Sequence, residues 1–195
     1  TSRAVKDQYE DSPYPRWVNI GILQKSMTIP EIANLAGIQT LPSELDASNQ
    51  PEILVAGCGT GQHSIEAAVR YANAHITAID LSVSSLSFAS RRTKELNIEN
   101  IRYLHGDILD LTSLKTEFDV IETTGVLHHM SDPMLGWRIL KRCLKPKGLM
   151  RVGLYSSLAR ADLSEVKEKM GELERPITNK KIYDYRNRVL DNAGV

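Results

Sequence analysis

The chain has 195 residues, 42% of them hydrophobic and 25% charged, the balance of one globular domain of ordinary size. Lysine plus arginine equals aspartate plus glutamate, 24 against 24, so net charge gives no reason to expect nucleic acid or an anionic membrane as partner. Two cysteines, Cys58 and Cys143, exclude a disulfide framework and suit a cytoplasmic protein with free thiols.

The N-terminal stretch to Trp17 is polar and lacks the apolar core of a signal peptide. The chain begins at Thr1 without a methionine and is expected to lack some preceding residues. Gln8 to Trp17, QYEDSPYPRW, crowds aromatic, proline and arginine residues without helical or strand periodicity. It reads either as an arm packing its aromatics on the domain or as a lid carried by Tyr9, Tyr14, Arg16 and Trp17. Ile29 to Gly37 predicts a short helix, and Gln39 to Gln50 a polar linker.

From here apolar runs and helical patterns alternate. Strands are predicted at Glu52–Ala56, Ala74–Asp80, Ile101–His105, Phe118–Glu122 and Leu149–Tyr155. Helices are predicted at Gly61–Asn73, Val83–Leu96 and Pro133–Leu144. The last is capped by Asp132, opens on Pro133 and is stopped by Lys145-Pro146-Lys147-Gly148. The basic stretch Leu140 to Arg151 reads as a solvated helix end and turn. No run approaches the roughly 18 to 20 apolar residues of a spanning helix. Nearly continuous apolar strands separated by helices imply a parallel sheet covered on both faces. Past Tyr155 only helical patterns follow, Leu158–Gly171 and Thr178–Ala193.

ILVAGCGTG, Ile53 to Gly61, ends a strand in three alternating glycines. Such a turn brings backbone amides close to a ligand. Its spacing is not the GxGxxG of a dinucleotide site and suits a cofactor without a pyrophosphate. Asp80 ends the next strand about 20 residues on, where a carboxylate can take both hydroxyls of a ribose. Its alternative role is a helix cap shared with Ser82. Asp107 and Ile108, in HGDI, offer an acceptor and a backbone N–H to a heterocycle, and Asp107 too has a capping alternative.

EILVAGCGTG, ITAIDLS, LHGDI, FDVIETTGVLHHMSDP and LKPKGLMRVGLYS, in that order from Pro51 to Tyr155, resemble the motifs of class I S-adenosylmethionine-dependent methyltransferases. The resemblance covers about half the chain. It implies an α/β, Rossmann-like, doubly wound and mostly parallel sheet with helices on both faces. That sheet is expected to lack the last two strands of the family's seven, because no apolar β-branched run follows Tyr155. The expected organisation is an N-terminal helical arm and linker at 1–50, a cofactor-binding core at 51–157 and a C-terminal helical segment at 158–195.

Carried over, the resemblance sets Gly57, Cys58 and Gly59 against the methionyl and ribose end of S-adenosylmethionine. Asp80 would hold the ribose hydroxyls and Leu81 would face the adenine. Asp107 and Ile108 would read the adenine edge, and Glu122 and Thr123 would lie by the methionine. Val55 departs from the pattern, standing where many members carry an acid that helps hold the methionine ammonium. Other acceptors must serve: backbone carbonyls at Gly57 and Thr123, or Glu122. QYEDSPYPRW also resembles the leader of this domain in bacterial proteins that join it to helical repeats.

Methyl transfer needs positioning first, and a base only if the nucleophile keeps its proton. His128 and His129 are the candidates for that base, and His63 is a candidate contact for the methionine carboxylate. Cys58 reads as a buried filler, His75 and His105 as structural. Adjacent histidines without a third ligand at usable spacing make no metal site. The acceptor is expected to be a small molecule or a protein. Two rivals stand beside transfer: a non-catalytic cofactor-binding module of a larger protein, and a nicotinamide-dependent oxidoreductase.

Overall fold

Strand β1 (Glu52–Ala56) sends Ile53 and Val55 to one face of a sheet and Leu54 and Ala56 to the other, all four buried. The computed structural model of the chain describes residues 2–21, 25–46, 49–156, 158–161 and 178–192. Around β1 lie β2 (His75–Asp80), β3 (Ile101–His105), β4 (Phe118–Thr124) and β5 (Leu144–Gly153). The five strands are all parallel, in the order β3-β2-β1-β4-β5. Two-sided burial explains their apolar runs.

Helices α1 (Ser2–Asp11), α2 (Ile29–Leu35) and α3 (Ser43–Asp46) precede the sheet, and α4 (Gln62–Arg70), α5 (Val83–Glu95) and α6 (Pro133–Arg142) connect its strands. Ile29, Leu45, Ala67, Ala68, Tyr71 and Leu86 close one core with Ile53 and Val55, so α2 to α5 share that face. On the other face Ile108, Leu111, Ile139, Leu140 and Cys143 close a second core with Leu54, Ala56 and Ile121. β1 and β4 adjoin although two strands separate them in sequence. The strand order reverses between them, and in such sheets ligands bind beyond the strand ends at that crevice.

The five parallel strands among the described residues match the reading of a doubly wound, mostly parallel sheet. Several details differ. Gln8 to Asp11 are helical, the last turn of α1. The linker at 39–50 contains α3, whose Leu45 is 3% exposed: one apolar residue docked on the core outweighs polar neighbours. α4 stops at Arg70, because Tyr71 turns extended (φ −85°, ψ 117°) and forms a bridge with Met27. Lys145 to Gly148 do end the helical pattern, yet they belong to β5. Phe118 pairs with Leu144 but Val120 with Leu149, so the extra residues bulge out, with Lys147 left-handed at φ 65°. Two of the basic residues from this stretch are paired inward rather than merely solvated: Lys145 Nζ lies 2.8 Å from Asp119 and Arg151 3.6 Å from Glu122.

The chain divides into two compact units, Thr1–Leu154 and Tyr155–Val195. In the second, α7 (Asn179–Asn192) is capped by the Thr178 hydroxyl, which accepts the Lys181 amide at 3.2 Å. Most of the predicted helix Leu158–Gly171 lies outside the described residues. No helix among them is long and apolar enough to cross a membrane.

Candidate functional site

The chain leaves β1 and turns into α4 through Gly57, Gly59 and Gly61, each with positive φ. A Cβ on Gly61 would stand 2.6 Å from that of Ala89, so only glycine lets α4 begin this close to α5. The amides of Gly57 and Cys58 donate to the Ile79 carbonyl at 2.8 and 3.1 Å, hanging the turn on the end of β2. Cys58 is buried. Burial first, and then the charge of Asp80, push its thiol up, which keeps it protonated and inert.

Asp80 is where the two roles foreseen for it part. Ser82 is the N-cap of α5, its hydroxyl accepting the Ser85 amide at 3.0 Å. Asp80 instead accepts the Gly59 amide at 2.7 Å with Oδ2 and the Ser82 amide at 3.0 Å with Oδ1. Burial raises its pKa, opposed by these amides. The Leu81 carbonyl accepts from the His105 ring at 3.1 Å. Asp107 takes its capping alternative here: it accepts the Leu109 amide at 3.0 Å and starts a 3-10 turn, Ile108–Ser113, in which Ile108 is buried.

Glu122 is 1% exposed and surrounded by donors. His63 Nε2 lies 2.6 Å from Oε2, Arg70 reaches both oxygens at 2.7 Å, and the Tyr71 hydroxyl donates at 2.9 Å. Burial would push the carboxyl up. The hydrogen bond from His63, then Arg70 and Tyr71, reverse this and hold it down at about 2. His63 thus turns to Glu122. Arg70 and Tyr71 lay outside the sequence reading, since a helix residue two turns below the glycines carries no local signal of a partner on β4.

The arm lies on the glycine turn. The Thr60 amide donates to the Tyr14 carbonyl at 3.2 Å, and its hydroxyl to the Pro15 carbonyl at 2.5 Å. The Trp17 indole N–H lies 3.2 Å from both Thr60 oxygens, and its ring, 8% exposed, meets Phe88 edge-on and Arg92 at 4.9 Å. Glu10 accepts the amides of Val83 and Ser84 at 2.8 and 2.9 Å, which caps α5 from another element. Bonds from Ser84, side chain and backbone, and then from Val83 lower its carboxyl to about 2. Of the four arm residues foreseen, Trp17 is buried as an anchor, while Tyr14 contributes its backbone and leaves its side chain exposed.

The turn after β4 closes the crevice from the other side. A Cβ on Gly57 would run into the Val126 methyls, so the two loops touch. His128 and His129 follow in a 3-10 turn, Leu127–His129, their rings 4.2 Å apart and tilted by 57°. Thr123 is buried with no hydrogen bond to its hydroxyl among the described residues. The crevice therefore gathers Gly57, Cys58, Gly59, Asp80, Glu122, Thr123, His63, the arm and the turn carrying His128 and His129. An open recess lined by Asn49, Gln50, Asn73, Ala74, His75 and Asn100 sits at the opposite ends of β1 and β2.

A family model described as a methyltransferase domain matches residues 48–194. An uncharacterized protein of Synechococcus sp. is 34% identical over 141 residues, 72% of this chain and 33% of that protein. A tRNA (guanine-N(7)-)-methyltransferase of Pediococcus pentosaceus is 27% identical over 146 residues, 75% of this chain and 63% of that one. The crystal structure of PKMT2 from Rickettsia typhi, in complex with AdoHcy, superposes with a TM-score of 0.60 at 21% identity, covering 74% of this chain and 29% of that one. The chain spans less than two thirds of the length of each.

Proposed function

Because the chain belongs to the methyltransferase-domain family, of the class I, S-adenosylmethionine-dependent kind, we propose that its crevice binds S-adenosylmethionine and directs methyl transfer to an acceptor. The observation that carries this reading is the coupling of Asp80 to the Gly59 amide at the end of β2, 2.7 Å apart. It sets a half-buried carboxylate and a glycine turn side by side, as a ribose with an attached chain requires.

The donor set suits the cofactor. A carboxylate oxygen accepts more than one bond, so Asp80 keeps capacity for ribose hydroxyls while holding its amides. Gly57, Cys58 and Gly59 line the approach, and Leu81 offers an apolar face. Ile108 and Asp107 lie at the end of β3 for the adenine edge; there Asp107 reads through its second oxygen, the first being on Leu109. The Thr123 hydroxyl, without a hydrogen bond among the described residues, is a buried polar group near the end of β4. When bound, the cofactor supplies an activated methyl group. The chain's own residues then position the acceptor and exclude water, with the arm closing one wall. His128 and His129, beyond the end of β4, are the groups available to take a proton from the acceptor.

The acceptor proposed is a small molecule or a protein side chain. One relative is named for tRNA, so acceptor screening includes tRNA. Calorimetric titration with S-adenosylmethionine and S-adenosylhomocysteine tests the reading. Micromolar binding of both is expected, and turnover with any acceptor completes it. Binding without turnover on any acceptor leaves the cofactor-binding module. Binding of a nicotinamide cofactor instead would return the oxidoreductase.

A further inference from the structure

Glu122 is too deeply held to meet a ligand itself: three side chains occupy its oxygens and 1% of it is exposed. Its ladder partner on β1 is Val55, which offers no polar group. His63 is different. It stands in the first turn of α4, two residues past Gly61, and its side chain is 22% exposed. Nε2 is committed to Glu122, while Nδ1 makes no hydrogen bond among the described residues.

We propose that the Glu122–His63 pair is an ammonium-recognition device, in which Glu122 fixes the tautomer of His63 so that Nδ1 presents a lone pair to the cationic amine of the bound cofactor's amino-acid end. The proposal rests on the reading above. Arg70 already neutralises Glu122 at 2.7 Å, so the carboxylate does not need a second cation. The neutral ring donates Nε2–H to Oε2, and chemistry then leaves Nδ1 as an acceptor. Glu122 acts as a positioning residue; its charge reaches the crevice only through the ring. His63 thus meets the amine rather than the carboxylate expected from sequence.

Glu122 from β4, Arg70 and Tyr71 from the far end of α4, and Arg151 from β5 at 3.6 Å from Glu122 surround the pair.

Two ligands separate this from a structural role: S-adenosylhomocysteine, which carries the amine, and 5′-methylthioadenosine, which lacks the amino-acid end. In His63→Ala, affinity for S-adenosylhomocysteine is expected to drop about tenfold, the worth of one charge-assisted bond, with 5′-methylthioadenosine unchanged. In the native protein, nitrogen NMR of His63 is expected to show the Nε2–H tautomer, with the Nδ1 resonance shifting on addition of S-adenosylhomocysteine alone. An equal loss for both ligands, no loss for either, or a ring carrying its proton on Nδ1 overturns the assignment. If the native protein binds neither ligand, the cofactor reading fails first and takes this inference with it.

Discussion

The carboxylate of Asp80 and the amide of Gly59 meet at 2.7 Å, tying the end of β2 to the middle of the glycine turn. One side chain thus shapes the turn and faces the proposed ribose position. Asp80→Ala is expected to weaken S-adenosylhomocysteine binding by about 1–3 kcal/mol, the range for a lost charge-assisted pair. Calorimetry reads it, and unchanged affinity would confine Asp80 to holding the turn.

Glu122 has a folded-state carboxyl lowered from 4.5 to about 2. A lowered acid contributes stability that is present above its unfolded value and is lost as pH falls through the folded one. The shift corresponds to on the order of 3 kcal/mol. Chemical unfolding from pH 7 down to pH 2 is expected to show that loss between about pH 4.5 and 2. Glu122→Gln should be less stable at neutral pH, where Arg70 is left without its charge, and should flatten this acid limb. An identical limb in the variant would assign it to other carboxylates.

Trp17→Ala removes a buried ring, its edge-on contact with Phe88 and the indole bonds to Thr60. The expected cost is about 3 kcal/mol. Limited proteolysis should then cut residues 12–21 faster than in the native protein. A stable variant with an uncut arm would show that Glu10 and the Tyr14 carbonyl suffice to hold it.

Gly59→Ala places a side chain at φ 52° whose Cβ runs into the Tyr14 carbonyl. The left-handed conformation alone costs about 1–2 kcal/mol. The Thr60 amide, bound to that carbonyl, is expected to exchange its hydrogen faster than in the native protein. Unaltered exchange would mean that the turn shifts while the arm stays seated.

Much of the core was legible because parallel strands buried on both faces leave near-continuous apolar runs, as at Ile53–Ala56 and His75–Asp80. Asp132 and Pro133 marked the start of α6 through local chemistry, and the structure has that cap. The glycines and Asp80 were legible as a spacing. What escaped depends on distant partners. Nothing in Gln8–Asp11 announces a helix whose Glu10 caps α5, and nothing near Arg70 announces Glu122. Asp80 ends β2 and Asp107 lies two residues past β3, and only their amide partners tell the coupler from the cap.

The arm has a consequence for biosynthesis. Trp17 and Pro15 find Thr60 across 43 and 45 residues, and Glu10 finds Val83 and Ser84 across 73 and 74. On the ribosome the segment emerges well before its docking surface exists. It must wait, solvent-exposed, until β1, β2 and the start of α5 have formed, and its seating is therefore a late, long-range closure. Polar residues between its aromatics keep that waiting strap in solution, and the closed crevice becomes a sign that the first half of the sheet has folded.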